Sequence, residues 1–363
     1  MSLESHFREA VWPRRGWRGW AEALALQPFS AAFAVGVGLR GAGYRLGLLR
    51  TRRAPLPVVS VGNLTVGGTG KTPVALWLAE GLRQRGARPA IVSRGYGGAA
   101  RAATVVSRGN GPEVGPEVAG DEPVMLAKSF PGPVVVSPRR LEGATMAAAL
   151  GADVVVLDDG FQHRAIARDF DLVLLDGRRG GLLPAGPFRE PLAAAARADA
   201  VLLIGRDEHD DVAAPAGLRV AQYRAHLEAA AVVESVAGVW HTHSMGRLAG
   251  RRVIAVTGIA RPEPFYALLQ RWDATIDEVF EYPDHHRYST EQWHRIARRG
   301  HDVDLIVTTE KDLVKLEAFP FATGKLVALR IAPRVQHGAA LLDDIAARVG
   351  LARPAKEIPH GHQ

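Results

Sequence analysis

Between Val58 and Leu78 the chain reads VVSVGNLTVGGTGKTPVALWL, and no other stretch constrains the fold as tightly. Val58, Val59 and Val61 form a β-branched run suited to a strand. Gly67, Gly68 and Gly70 make a turn, and Lys71 and Thr72 open a helical pattern in Val74, Leu76, Trp77 and Leu78. Strand, glycine turn, Lys-Thr and helix is the plan of a P-loop. Glycines let backbone N–H groups curl around phosphate oxygens, and the helix N-terminus adds its dipole. Lys71 would then neutralise β/γ-phosphate charge, and the Thr72 hydroxyl would ligate Mg²⁺. Thr65 stands where the strict motif has glycine.

Downstream, apolar runs at Ala90–Val92, Val134–Val136, Val154–Leu157, Leu172–Leu175 and Val201–Ile204 alternate with helical or loop segments. Such runs read as strands buried on both faces of a mostly parallel sheet flanked by helices. Ligands then belong at the carboxyl ends of the strands. Near residue 230 the rhythm changes to two short extended pieces across Ala229–Val239, and a fresh βα unit begins at Val253. Strands at Thr275–Phe280, Leu305–Thr308 and Lys325–Leu329 and a helix near Thr290–Arg299 follow. The expected division is a P-loop α/β domain over 58–228, a second, smaller α/β domain over 229–350, and a frayed tail at 351–363.

Residues 1–57 differ from the rest. Arg14, Arg15 and Arg18 lie among Trp12, Trp17 and Trp20, an apolar stretch runs from Phe29 to Leu39, and Arg50, Arg52 and Arg53 close the segment. The apolar stretch is too short to cross a bilayer, which needs about 20 residues. Trp and Arg beside it suit a helix lying in a membrane interface; packing on the protein's own core is the other reading. The net charge of +7 agrees with an anionic partner, and the absence of cysteine excludes disulfides and thiolate metal sites.

Other groups could do chemistry. Asp158 and Asp159 end an apolar run as a Walker-B-like pair beside the Mg²⁺. Gly120-Asp121-Glu122-Pro123 opens a helix, where Asp121 could be a cap or a catalytic group. Asp284-His285-His286 could ligate a metal, relay protons or simply form a surface loop. Ser93–Gly98 is a glycine-rich loop whose Arg94 suits a phosphate or a sugar, and Leu182–Pro191, carrying Arg189, suits an ordered loop over a site or equally a plain connector. Thr309-Glu310-Lys311-Asp312 is similar to a guanine-reading motif, with its lysine one place late.

NLTVGGTGKTP, SRGYGG, GDEP, DDGFQH, LLPAGPFREP, DHH and TEKD together resemble the tetraacyldisaccharide 4′-kinase family, from about residue 10 to 345. The resemblance implies transfer of the ATP γ-phosphoryl to the 4′-hydroxyl of a tetraacylated disaccharide 1-phosphate, giving lipid IVA. It implies two α/β domains joined by a two-stranded ribbon, and a peripheral enzyme on the cytoplasmic face of the inner membrane. ATP contacts are expected over Thr65, Gly67, Gly68, Thr69, Gly70, Lys71 and Thr72, since the family's loop has threonine at the first place. Asp121 matches the base, kept basic and oriented by His285; Lys71 and Asp159 complete the expected catalytic set. Thr72, Glu122 and Asp158 match the metal site, and Arg94, Arg140, His163 and Arg189 match polar positions toward substrate or phosphate. No nucleic acid and no obligate protein partner is expected. The rivals are a P-loop enzyme on a soluble acceptor, like dethiobiotin synthetase, and a membrane-associated nucleotide switch.

Overall fold

The computed structural model describes residues 7, 11, 12, 16–320 and 324–351. Arg14, Arg15 and the expected frayed tail beyond 351 lie outside the described residues. Among the described residues thirteen strands form one sheet. They are β1 (Val58–Asn63), β2 (Pro89–Ser93), β3 (Thr104–Arg108), β4 (Pro133–Val136), β5 (Val154–Asp158), β6 (Phe170–Leu175) and β7 (Ala200–Gly205), then β8 (Ala221–Val236), β9 (Val239–His243), β10 (Arg252–Thr257), β11 (Thr275–Glu281), β12 (Leu305–Thr309) and β13 (Leu326–Val335). The order is β11-β10-β12-β13-β8-β7-β6-β1-β5-β2-β4-β3, with β9 added on β8. Every pairing is parallel except β3 on β4, β8 on β13 and β9 on β8.

The helices are α1 (Gly16–Ala25), α2 (Gln27–Arg45), α3 (Lys71–Gln84), α4 (Asp121–Ser129), α5 (Arg140–Ala149), α6 (Glu263–Arg271), α7 (Thr290–Gly300), α8 (Glu310–Leu316) and α9 (Gly338–Arg348). The apolar runs read as two-sided strands are buried throughout in β1, β2, β5 and β6. With Val61 in register with Asp158, β1 and β5 lie side by side. The glycine turn and the paired aspartates therefore leave the sheet together, at its carboxyl edge.

The two extended pieces expected over 229–239 are the end of a 16-residue strand, β8, which starts eight residues earlier at Ala221, and the beginning of β9 at Val239. Its signal is an alternation of Gln222, Arg224, His226 and Glu228 with Tyr223, Ala225, Leu227 and Ala229, not an apolar run. β8 pairs with β7 through His226 and with β13 from Ala225 to Glu234, so one strand serves both halves of the sheet. The terminal helix α9 turns back to pack on α3: Leu341, Leu342 and Ile345 join the core beneath the glycine turn, and Arg85 pairs with Asp343 at 2.7 Å. Segment 229–350 thus does not end in a core of its own.

At the N-terminus α2 is longer than the apolar stretch, reaching Arg45, and meets α1 at a 47° bend. No single helix among the described residues is long and apolar enough to cross a membrane.

Candidate active site

The glycine turn adopts the conformation its sequence requires. Gly67 (φ 99°) and Gly70 (φ 82°) sit in the left-handed region, and Gly70 is the residue before the first turn of α3. A β-carbon on Gly70 would also lie 2.7 Å from Leu227 Cδ1. Thr65 is buried and bridged to Phe188, and the Val66 N–H donates to the Pro187 carbonyl at 2.9 Å. The Leu182–Pro191 loop is therefore laid against the turn. Arg178, which no motif flagged, donates to the carbonyls of Val66 at 2.7 Å and Gly68 at 3.0 Å.

Around the turn the side chains are tightly organised. Asn63, the last residue of β1, donates to Thr69 Oγ1 at 2.7 Å and accepts from Arg189. Arg189 also forks onto Asp159 at 2.9 and 3.1 Å, and Lys71 Nζ stands 3.8 Å from the same carboxylate. Burial alone would raise the Asp159 pKa; Lys71 and Arg189 outweigh it, and the net shift is downward. Asp159 holds a left-handed backbone (φ 57°), one of two such strained positions among the expected site residues.

Asp158 behaves oppositely. Its Oδ2 accepts the Thr72 hydroxyl at 3.1 Å, while Oδ1 is buried with no hydrogen-bond partner. Burial, then the charges of Glu122 and Asp159, push its pKa up to about 7. A buried, unpartnered carboxylate oxygen beside a hydroxyl is a hard-oxygen donor set that fits Mg²⁺. Among the described residues no three His, Asp or Glu side chains gather into a metal cage. Mg²⁺ commonly takes one or two carboxylates and completes its shell with phosphates and water.

The second centre is built across the sheet. Gly120, not Asp121, caps α4; Asp121 is the first helical residue, 6% exposed, with its carboxylate facing His285. His285 Nδ1 lies 3.1 Å from both Asp121 oxygens. His285 is the other strained position (φ 58°), and the ring of Tyr96, from the Ser93–Gly98 loop, lies 5.1 Å from its imidazole. His286 points elsewhere, stacking on Tyr282 and bonding Gln292 at 2.9 Å. Lys311 bonds Asp284 at 2.7 Å and His285 Nε2 at 3.2 Å, and stands 4.0 Å from Asp121 and 3.9 Å from Glu122. Lys315 adds a cation 3.6 Å from Asp121.

The TEKD segment is thus a helix start. Thr309 caps α8 on the Asp312 N–H, and Asp312 holds the Gly258 N–H, leaving Lys311 free to reach across. Lys311 and Lys315 carried no assigned role in the sequence. Their signal, a strand ending in a capped helix, shows only once α8 is packed against α4.

The expectation that Asp121 is kept basic meets opposing electrostatics. Burial raises its pKa, but the His285 hydrogen bond and the charges of Lys311, His285 and Lys315 bring it down to about 2. That hydrogen bond in turn raises His285 above its ordinary value. The pair's stabilisation is complete between the ordinary aspartate and histidine values, about pH 4 to 6.5. It fades as pH rises through the elevated His285 pKa, and as pH falls toward the depressed Asp121 pKa. By NMR, the His285 ring is expected to titrate above about 6.5 in the wild type and lower in Asp121→Asn. Equal midpoints in both would show the contact absent in solution.

Arg140 is buried with its Nε unpartnered; burial lowers its pKa to about 10, and Asp159, Asp158 and Arg94 all act on it. His163 is held neutral, at about 4, by burial and by Arg140, Arg40, Arg168 and Arg94. Arg94 and Arg140 therefore set a positive field beside the aspartate pair, and that field keeps His163 uncharged. Glu122 links the two centres, acting on Asp158 and on Lys311.

The sequence profile of the tetraacyldisaccharide-1-P 4′-kinase family matches residues 22–349. A tetraacyldisaccharide 4′-kinase from Anaeromyxobacter dehalogenans is 43% identical over 360 residues, covering 92% of this chain and 93% of that protein. One from Rhizobium meliloti is 38% identical, with coverage of 87% and 86%. The crystal structure of LpxK from Aquifex aeolicus in complex with ATP superposes with a TM-score of 0.77 at 31% identity, covering 90% of this chain and 99% of that one.

Proposed function

The chain belongs to the tetraacyldisaccharide-1-P 4′-kinase family, and from that premise we propose how its geometry carries the reaction. It is a kinase that moves the ATP γ-phosphoryl group to the 4′-hydroxyl of a tetraacyldisaccharide 1-phosphate, forming lipid IVA. The observation that carries the assignment of roles is the placing of two consecutive residues of α4: Asp121 faces His285 and Lys315, while Glu122 stands 3.9 Å from Lys311 and its charge reaches Asp158 in the glycine-turn cluster.

Phosphoryl transfer is positioning and charge neutralisation more than covalent chemistry. The amides of residues 67–72 cradle the phosphates, and Lys71 and Arg189 bear on the γ-phosphoryl, with Asp159 holding both cations ready. Thr72 and Asp158, with Glu122 nearby, would hold Mg²⁺, which would supply neutralisation of phosphate charge there. Asp121 accepts the hydrogen bond of the attacking 4′-hydroxyl. A carboxylate of depressed pKa is a weak base, which suits a loose transition state in which the nucleophile's proton leaves late. His285, Lys311 and Lys315 fix that carboxylate. Arg94 and Arg140 offer positive charge to the substrate's anionic parts, and the neutral His163 offers a hydrogen bond beside them. We take 58–228, with α9 packed back on it, as the ATP lobe, and the β8–β13 ribbon as its hinge to the lobe that brings His285 and Lys311.

The enzyme works at the cytoplasmic face of the inner membrane. Trp17, Trp20, Leu24, Phe29, Val35 and Leu39 are exposed along α1 and α2, Phe29 at 64% and Leu39 at 69%. Placing such side chains in the interface is favourable by roughly 1.5–3 kcal/mol each. Phe29→Glu with Leu39→Glu is expected to weaken partition onto anionic vesicles by at least about tenfold, read by sedimentation; unchanged partition would remove the docking face.

Nucleotide turnover with and without acceptor separates the kinase from its rivals. ATP consumption that requires the lipid acceptor is expected; acceptor-independent hydrolysis with GTP preferred would favour a nucleotide switch.

A further inference from the structure

We propose that α2 is a positioning element of the active site: Ser30 and Arg40 clamp the two loops that carry Arg189 and Asp159, so the seating of this helix sets the geometry of the phosphate cradle. The inference rests on the kinase reading and extends it to a helix whose exposed face suggests only an anchor.

Ser30 is the one buried residue of α2. Its hydroxyl donates to the Leu182 carbonyl at 2.8 Å and accepts from the Ala185 N–H at 3.0 Å. A single side chain therefore closes the base of the loop whose far end presents Arg189. Arg189, in turn, is held by the backbone bond from its N–H to the Leu64 carbonyl, 2.8 Å, and by its fork onto Asp159.

Arg40 lies three helical turns further on and grips the other loop. Its guanidinium donates to the Gln162 carbonyl at 2.7 Å. The Gln162 side chain donates to the Asn63 carbonyl at 2.8 Å, at the point where β1 enters the glycine turn. The grip is reinforced nearby: Arg164 lies 4.7 Å over the Tyr44 ring, and the Thr51 hydroxyl donates to the Arg164 carbonyl at 2.9 Å. Asp159, at the head of this loop, has a left-handed backbone that its surroundings must hold in place. Both clamps thus end on the Asn63–Arg189–Asp159 network, which Lys71 completes. A helix that only anchored the chain would need neither contact, because its exposed face does the anchoring.

The test compares Ser30→Ala, Arg40→Gln and Arg40→Lys in the full-length enzyme. Each is assayed in mixed micelles at saturating tetraacyldisaccharide 1-phosphate, by vesicle sedimentation, and by amide hydrogen exchange across 160–165 and 182–189. Ser30→Ala and Arg40→Gln are expected to lose about tenfold or more in kcat, as displaced positioning groups do, with vesicle partition unchanged and faster exchange in both loops. Arg40→Lys, which keeps a cationic donor, restores most of the kcat. Wild-type exchange and kcat in Ser30→Ala and Arg40→Gln, or a loss that appears only as weaker partition, overturns the clamp. If the wild type itself transfers no phosphate, the kinase reading fails, and the exchange rates alone decide the clamp.

Discussion

Asp121→Ala is expected to lower kcat by about 10²–10⁴ while ATP still binds. Among the described residues the carboxylate is the one anion that His285, Lys311 and Lys315 approach together, at 3.1, 4.0 and 3.6 Å. On the proposed roles, removing it takes away the acceptor for the 4′-hydroxyl, and it leaves Lys311 and Lys315 facing the His285 ring with no anion between them. Part of the loss is therefore electrostatic and would be felt by the protein without substrate. Breaking a buried ion pair costs more than the pair is worth, because it strands the partner charges. Asp121→Asn separates the two effects. It keeps the shape and one acceptor oxygen, so thermal stability should fall less than in Asp121→Ala while turnover stays low. Calorimetric ATP titration should give an affinity near that of the wild type, since none of the groups on the glycine turn contacts Asp121. Near-wild-type turnover in either variant would remove Asp121 from the reaction.

Lys71→Ala is expected to cost about 10²–10³ in kcat and also to weaken ATP binding. Lys71 opens α3 directly after the left-handed Gly70, and its ammonium stands 3.8 Å from Asp159. Without it, Asp159 keeps the Arg189 fork and the more distant charge of Arg140, and on the proposed roles the γ-phosphoryl loses a protein cation. Lys71→Arg should restore little, because a planar fork does not replace a compact point charge at a turn this tight. Paired measurement of kcat and ATP affinity distinguishes the two substitutions: Asp121→Ala leaves affinity in place, Lys71→Ala does not. The same affinity in all three proteins would show that Lys71 does not meet the triphosphate.

Much of the first lobe was legible because its signals are local. A β-branched run, a glycine turn and Lys-Thr in succession leave little freedom, and each apolar run from Val58 to Ile204 became a buried strand. Two-sided burial removes the alternation that would otherwise blur such strands. What the sequence hid is long-range. The first half of β8 carries polar residues on every second position from Gln222 to Glu228, so its apolar run at 229–233 announced only the second half. Lys311 and Lys315 acquire meaning only when α8 packs on α4, and Arg178 only when its loop closes over the carbonyls of Val66 and Gly68. The choice between His285 and His286 is likewise one of direction: adjacent side chains diverge, and the left-handed backbone at 285 aims the first at Asp121 and leaves the second to stack on Tyr282. The basicity of Asp121 depends on cations more than 160 residues away in the chain, which no motif encodes.

The most direct measurement follows the γ-phosphate itself. With ATP labelled at that position and a tetraacyldisaccharide 1-phosphate in mixed micelles, label is expected in a new lipid bisphosphate, on the 4′-oxygen, in amounts equal to the ADP formed. Label released as inorganic phosphate with the lipid unchanged would contradict the assignment.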